Sequence, residues 1–170
     1  QSEKLIEEFG RQILVPGINE EGQKNISKKK ICIIGLGALG TVASQYLVRA
    51  GVGEIHLVDH DIIEKSNLHR QINYDKDDVG KSKSNTSKHK LKNINDSTII
   101  KEHSLNFESF IKKNPNNNFD LIFDCTDNHQ NKIFSSKYSK ANKISFVSIS
   151  INSSEAVSYT HLRAHETSPH

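Results

Sequence analysis

Apolar residues recur along this chain in two periods. Leu5, Ile6, Phe9 and Ile13 fall at helical spacing, which predicts a short amphipathic helix over residues 3–13, and Pro16-Gly17 predicts a turn after it. A second short helix is expected over 19–27. Lys29–Ile34 turns from charged to continuously apolar and reads as a buried strand. The glycine-rich stretch 35–40 then leads into a helix over 41–50 that ends at Gly51-Val52-Gly53, and Glu54–Asp59 is the next strand. Residues 60–80 are polar and irregular. Beyond them the pattern predicts a helix over 81–95, a strand over 98–102, a helix over 107–112, a loop at 114–118, a strand over 120–124, a helix over 128–142 and a strand over 143–151. Strands alternating with helices predict an α/β fold, a Rossmann-like, doubly wound and mainly parallel sheet with helices on both faces.

Composition adjusts this outline. With 170 residues, one domain or a large part of one is expected, and no apolar run is long enough for a membrane helix. There is no signal-peptide pattern, and the two cysteines, Cys32 and Cys125, form neither a disulfide scaffold nor a zinc ligand set, so the cytoplasm is the expected compartment. A net charge of +3 gives no reason to expect nucleic acid. The chain has no Met, and its 23 basic residues include only four Arg: Arg11, Arg49, Arg70 and Arg163. Lys, Asn and Ile make up 55 of the first 156 residues and none of the last 14. At the earlier rate about five would be expected there. Residues 157–170 therefore read as a non-native tail, and His161, His165 and Glu166 within it as an incidental metal-like spacing. The expected organisation is an N-terminal helical arm (1–28), a Rossmann-like domain (29–156) and the tail (157–170).

Gly35-Leu36-Gly37-Ala38-Leu39-Gly40 follows a predicted strand and opens a helix. Glycines allow a tight turn and close approach of backbone N–H groups to a phosphate, and the helix N-terminus favours negative charge. Asp59 ends the second strand, where an acid accepts a hydrogen bond from a ribose hydroxyl, and Asp61 lies close by. These features alone fit an NAD-dependent oxidoreductase as well as an ATP-binding protein. Arg70 and Lys83 separate the two, because cations converging beside the glycine loop suit chemistry that develops charge on phosphate oxygens. Asp127, just beyond the 120–124 strand, suits Mg²⁺ bound together with phosphates. Cys125 reads as a small buried residue rather than a nucleophile, and His56, His60, His69, His89, His103 and His129 as solvated.

The stretches FGRQILVPGINEEGQ (9–23), GLGALG (35–40), YLVRAGVGEIHLVDHD (46–61), SNLHRQ (66–71), VGKSK (79–83) and DCTDN (124–128) together resemble the ThiF/MoeB/HesA family, the adenylating domain shared with ubiquitin-activating enzymes. The resemblance implies ATP-dependent adenylation of the C-terminal carboxylate of a ubiquitin-like sulfur-carrier protein ending in Gly-Gly, with release of pyrophosphate. By motif match, Asp59 would hold the ribose, and Asn67, Arg70 and Lys83 the triphosphate. Asp127 would hold Mg²⁺, and Arg11 would reach the ATP site of the other subunit of a homodimer. Departures from the family pattern are Glu8 and Phe9 before Arg11, Ala38 in the glycine loop, and Lys132 where an Arg is frequent. The resemblance implies that residues 29–156 are an ATP-binding domain incomplete at its C-terminal end, since some members carry zinc-binding Cys-x-x-Cys pairs or a reactive Cys further on. Within the family, a tRNA-modifying dehydratase or a peptide adenylase remains open, as does a non-catalytic adenylation-like binding module.

Overall fold

The computed structural model describes residues 2–151 and 156–161. Two helices, α1 (Ser2–Ile13) and α2 (Asn19–Ile26), precede β1 (Lys30–Ile34), α3 (Ala38–Arg49) and β2 (Glu54–Val58). Two 3₁₀ turns, Lys65–Asn67 and Lys76–Asp78, interrupt the irregular segment that follows. Then come α4 (Lys83–Lys92), β3 (Ile99–His103), α5 (Phe107–Lys113), β4 (Leu121–Asp124), α6 (His129–Ala141), β5 (Ser145–Ile151) and β6 (Ala156–His161). The strands form one sheet in the order β3-β2-β1-β4-β5-β6. The first four pairings are parallel, and β6 runs antiparallel to β5. The sheet is the expected mainly parallel, Rossmann-like one.

The continuous apolar run of β1 is explained by helices on both faces of the sheet. With side chains alternating along a strand, Ile31 and Ile33 join Ile55, Leu57, Val48 and Leu91 in a core beneath α3 and α4. Cys32 and Ile34 point the other way, into a core with Val58, Phe107, Phe110, Ile122 and Phe146 beneath α5 and α6. β1 lies between β2 and β4, so the chain leaves its C-terminal end in one direction and returns on the other side. In open α/β sheets that switch point is where ligands bind.

His56 corrects one expectation. It is buried, not solvated, at 4% exposure, because the two-residue period of β2 turns it to the same face as Val58. His56 Nε2 lies 2.6 Å from Glu54 Oε1, and its Nδ1 lies 3.0 Å from His103 Nε2. A carboxylate only accepts, so neutral His56 donates from Nε2 to Glu54 and accepts at Nδ1 from His103 Nε2–H. Burial lowers the His56 pKa to about 4, against the opposing hydrogen bond to Glu54.

The N-terminal arm docks on the far end of α3. Gln12 and Gln23 both donate to the Ala50 carbonyl, at 3.0 and 2.9 Å, and Gln12 also donates to Gln23 Oε1. These bonds satisfy a carbonyl that the helix end leaves without an internal partner. The segment set apart by its composition, 157–170, enters the sheet through Val157–His161, and Tyr159 packs 6.5 Å from the Phe146 ring. His165 and Glu166 lie outside the described residues.

Candidate functional site

A cleft of about 810 Å³ opens at the C-terminal ends of β1, β2 and β4. That volume falls within the range of small-molecule sites, roughly 300–1,000 Å³. Its floor is the glycine loop. Gly35 adopts φ +85°, a conformation that side chains rarely allow, and its peptide lies against Thr126. A Cβ on Gly40 would fall 1.8 Å from the Gly35 carbonyl oxygen, so Gly40 makes room for α3 to fold back against the loop. Gly40 itself does not line the cleft, whereas Gly35, Gly37 and Ala38 do. No side chain caps α3 at Gly37, so the N–H groups of its first turn are left for another acceptor.

Asp59 stands at the end of β2 with 7% exposure. Its Oδ2 accepts from the Leu36 N–H at 2.7 Å and its Oδ1 from the Asp61 N–H at 2.8 Å. Burial pushes its carboxyl pKa upward, against those two backbone bonds and the nearby Lys83 charge. Each carboxylate oxygen keeps a further lone pair for a hydroxyl donor. The Leu36 peptide is also held from its other side, because the Tyr74 hydroxyl donates to the Leu36 carbonyl at 2.8 Å and lies 3.1 Å from Ser87 Oγ. Sequence reasoning missed Tyr74. It is buried, and it is the only Phe, Tyr or Trp in residues 60–80, which was the available signal.

The irregular segment is what brings the cations in. Ile63 N–H donates to Lys81 O and Gly80 N–H to Ile63 O, both at 2.8 Å, and Lys83 N–H donates to Asp61 O at 3.1 Å. These bonds strap residues 61–63, just ahead of SNLHRQ, to the VGKSK motif. Lys83 is 7% exposed, and its Nζ lies 3.1 Å from Asp61 Oδ2. Asp61 is thus the counter-charge that a buried ammonium requires. Asn67 is buried, and its Oδ1 accepts from the Glu64 N–H at 3.0 Å, so its amide nitrogen is what remains for a ligand. Arg70 is exposed at the cleft and donates to Ser66 O at 2.9 Å. Gln71, which no motif argument singled out, also lines the cleft, and its buried Oε1 has no hydrogen-bond partner among the described residues.

On the β4 side, Cys125, Thr126, Asp127 and Asn128 line the cleft. The Cys125 thiol is buried, and burial beside Asp124 pushes its pKa up to about 12, which makes it a poor nucleophile. The Asp127 carboxylate is exposed and has no hydrogen bond or ion pair with the described residues. A free carboxylate on the cleft wall fits Mg²⁺, a hard ion that takes one or two carboxylates and fills its remaining positions with water and phosphate oxygens. Asp59, His60 and Asp61 also bring ligand atoms within 4.8 Å of one another. There, however, Asp59 already accepts two backbone bonds and Asp61 already pairs with Lys83.

One cleft therefore gathers Gly35, Gly37, Ala38, Asp59, Asp61, Asn67, Arg70, Lys83 and Asp127. Arg11 is not among its lining residues. It is exposed on α1, in a shallow surface hollow with Glu7, Glu8 and Arg49.

An uncapped helix N-terminus, a buried acid at a strand end and two cations meet at one cleft of this α/β protein. The ThiF family model matches residues 9–168, and the chain belongs to that family. It is 39% identical over 122 residues to the "Adenylyltransferase and sulfurtransferase MOCS3" of Caenorhabditis briggsae, covering 71% of this chain and 30% of that protein. It is likewise 39% identical over 120 residues to the "Adenylyltransferase and sulfurtransferase uba4" of Aspergillus niger, covering 71% and 25%. The chain thus spans about a quarter to a third of the length of these curated relatives. Among solved structures it resembles Escherichia coli MccB with ATP, at a TM-score of 0.69 and 30% identity, over 75% of this chain and 38% of that one.

Proposed function

We propose that the protein activates the C-terminal carboxylate of a ubiquitin-like sulfur-carrier protein by adenylation with ATP. The observation that carries this reading is the convergence of Arg70, Lys83 and Asp127 on the cleft that holds the glycine loop and Asp59. A hydride-transfer enzyme needs the last two features and has no use for the first three. The relatives named as adenylyltransferases support the same reading.

In this reaction a carboxylate oxygen of the carrier attacks the α-phosphorus of ATP. The bond from that phosphorus to the bridging oxygen of the β-phosphate breaks, and pyrophosphate leaves with the electron pair, giving an acyl-adenylate. Asp59 holds the ribose hydroxyls. Backbone N–H groups of the glycine loop and the first turn of α3 face the phosphates. The Asn67 amide, the Arg70 guanidinium and the Lys83 ammonium meet the negative charge that builds on the leaving group. Lys83 exchanges its Asp61 partner for a phosphate oxygen as the nucleotide enters. Asp127 would hold Mg²⁺, which would supply further neutralisation of charge on the phosphates. The carrier's end is a flexible Gly-Gly, and the protein works as a homodimer in the cytoplasm in which Arg11 of one subunit reaches the nucleotide of the other.

Calorimetric titration with Mg-ATP and with NAD tests the reading. Saturable heat with Mg-ATP and none with NAD is expected. Tight NAD binding without ATP binding would replace adenylation with oxidoreduction.

A further inference from the structure

Asp124, the last residue of β4, is a fully buried carboxylate at 0% exposure that does not line the cleft. A buried charge of this kind is retained only when it is paired and hydrogen-bonded. Its Oδ1 accepts from the Thr126 N–H at 2.9 Å and from Thr126 Oγ1 at 2.7 Å, and its Oδ2 accepts from Ser135 Oγ. Lys132 Nζ stands 3.7 Å from Oδ1. The same ammonium donates to Ser148 Oγ at 2.9 Å and to the Ile149 carbonyl at 3.2 Å. One pair thus joins α6 to the ends of β4 and β5. Thr126, the residue that Asp124 grips twice, packs against Gly35: a Cβ there would meet Thr126 Cγ2 at 3.0 Å and Thr126 N at 3.2 Å. The next residue along is Asp127.

We propose that Asp124 and Lys132 are positioning residues, which fix the 125–128 turn against the glycine loop so that Asp127 offers its carboxylate to metal-bound phosphate. This inference rests on the nucleotide reading above. Neither residue touches the nucleotide, so both act through Thr126 and the end of β5.

The test is nucleotide affinity with and without Mg²⁺, together with amide hydrogen exchange at Thr126 and Asp127. Lys132→Met keeps the aliphatic stem and removes the charge. It should weaken Mg-ATP binding roughly tenfold or more, as loss of outer-shell partners of metal ligands does, while leaving ATP affinity in chelator unchanged. Exchange at the two amides should speed up, and Lys132→Arg should restore both readouts. If Lys132→Met does not fold, Asp124→Asn, which keeps shape and removes charge, is measured in the same way with the same expectation. Unchanged Mg-ATP affinity, or an equal loss with and without metal, overturns the positioning role and leaves the nucleotide reading standing. A wild-type chain that binds no ATP overturns both.

Discussion

The Asp59 carboxylate accepts the Leu36 N–H at 2.7 Å, so the acid at the end of β2 also holds the glycine loop at the end of β1. One residue both faces the proposed ribose and shapes the phosphate loop. Asp59→Ala leaves the Leu36 and Asp61 donors without their acceptor, and an unsatisfied buried donor costs about 1–3 kcal/mol. A loss of at least ~2 kcal/mol in urea unfolding is expected, together with loss of ATP binding. Asp59→Asn, which keeps one acceptor oxygen, should fall between Ala and wild type in both measurements.

The glycines of the loop should differ sharply in tolerance. A Cβ at Gly40 would lie 1.8 Å from the Gly35 carbonyl oxygen, whereas one at Gly37 would meet nothing nearer than Gln71 Nε2 at 3.6 Å. Gly40→Ala should therefore destabilise by about 1–3 kcal/mol or more, as overpacking does. Gly37→Ala should stay within about 0.5 kcal/mol of wild type. Thermal melting of the two variants side by side measures the difference.

Lys83 is a buried ammonium whose counter-charge, Asp61, is exposed and can be displaced by phosphate. Hydrogen bonds to charged groups contribute about 1.5–3 kcal/mol. Lys83→Ala is expected to lower Mg-ATP affinity by roughly 10- to 100-fold in calorimetry, with unfolding still cooperative.

Acid should destabilise the fold in two stages. Unfolded His56 takes up a proton near pH 6.5, and folded His56 only near pH 4, so unfolding binds protons between these values and stability falls as pH drops through that window. A shift of this size corresponds to on the order of 3 kcal/mol. His103, also lowered by burial, acts in the same direction. Below that range Glu54 takes over. Burial pushes its carboxyl up, but hydrogen bonds from Lys101 and His56 and the Lys30 charge outweigh burial and bring its pKa to about 2, so its contribution is lost as pH falls from 4.5. Urea midpoints at pH 7, 6 and 5 should decline for wild type and decline less for His56→Asn.

The sheet was legible because two-sided burial leaves a plain mark: Ile31-Cys32-Ile33-Ile34 has no polar gap, and both of its faces are covered. Helix ends were less legible. α3 begins at Ala38 rather than Thr41, because the glycine loop turns directly into helix, and α4 is trimmed to Lys83–Lys92 by the Ser82 cap and by Asn93. Strand β6 went unread, since its composition differs from the rest and its pairing is antiparallel with distant β5. His56 carries a usable signal, as it alternates in step with Val58 between Ile55 and Leu57. The cleft residues were found through their motifs. Tyr74, Asp124 and Lys132 act through hydrogen bonds to other elements, a relation that spacing along the chain does not encode.

Isotope exchange between pyrophosphate and ATP, measured on the protein with a ubiquitin-like carrier ending in Gly-Gly, tests carboxylate adenylation at this cleft most directly. Exchange should require the carrier and should fall by orders of magnitude in Arg70→Ala, Lys83→Ala and Asp127→Ala. Exchange that proceeds at the wild-type rate in all three variants would contradict the assignment of this cleft to carboxylate adenylation.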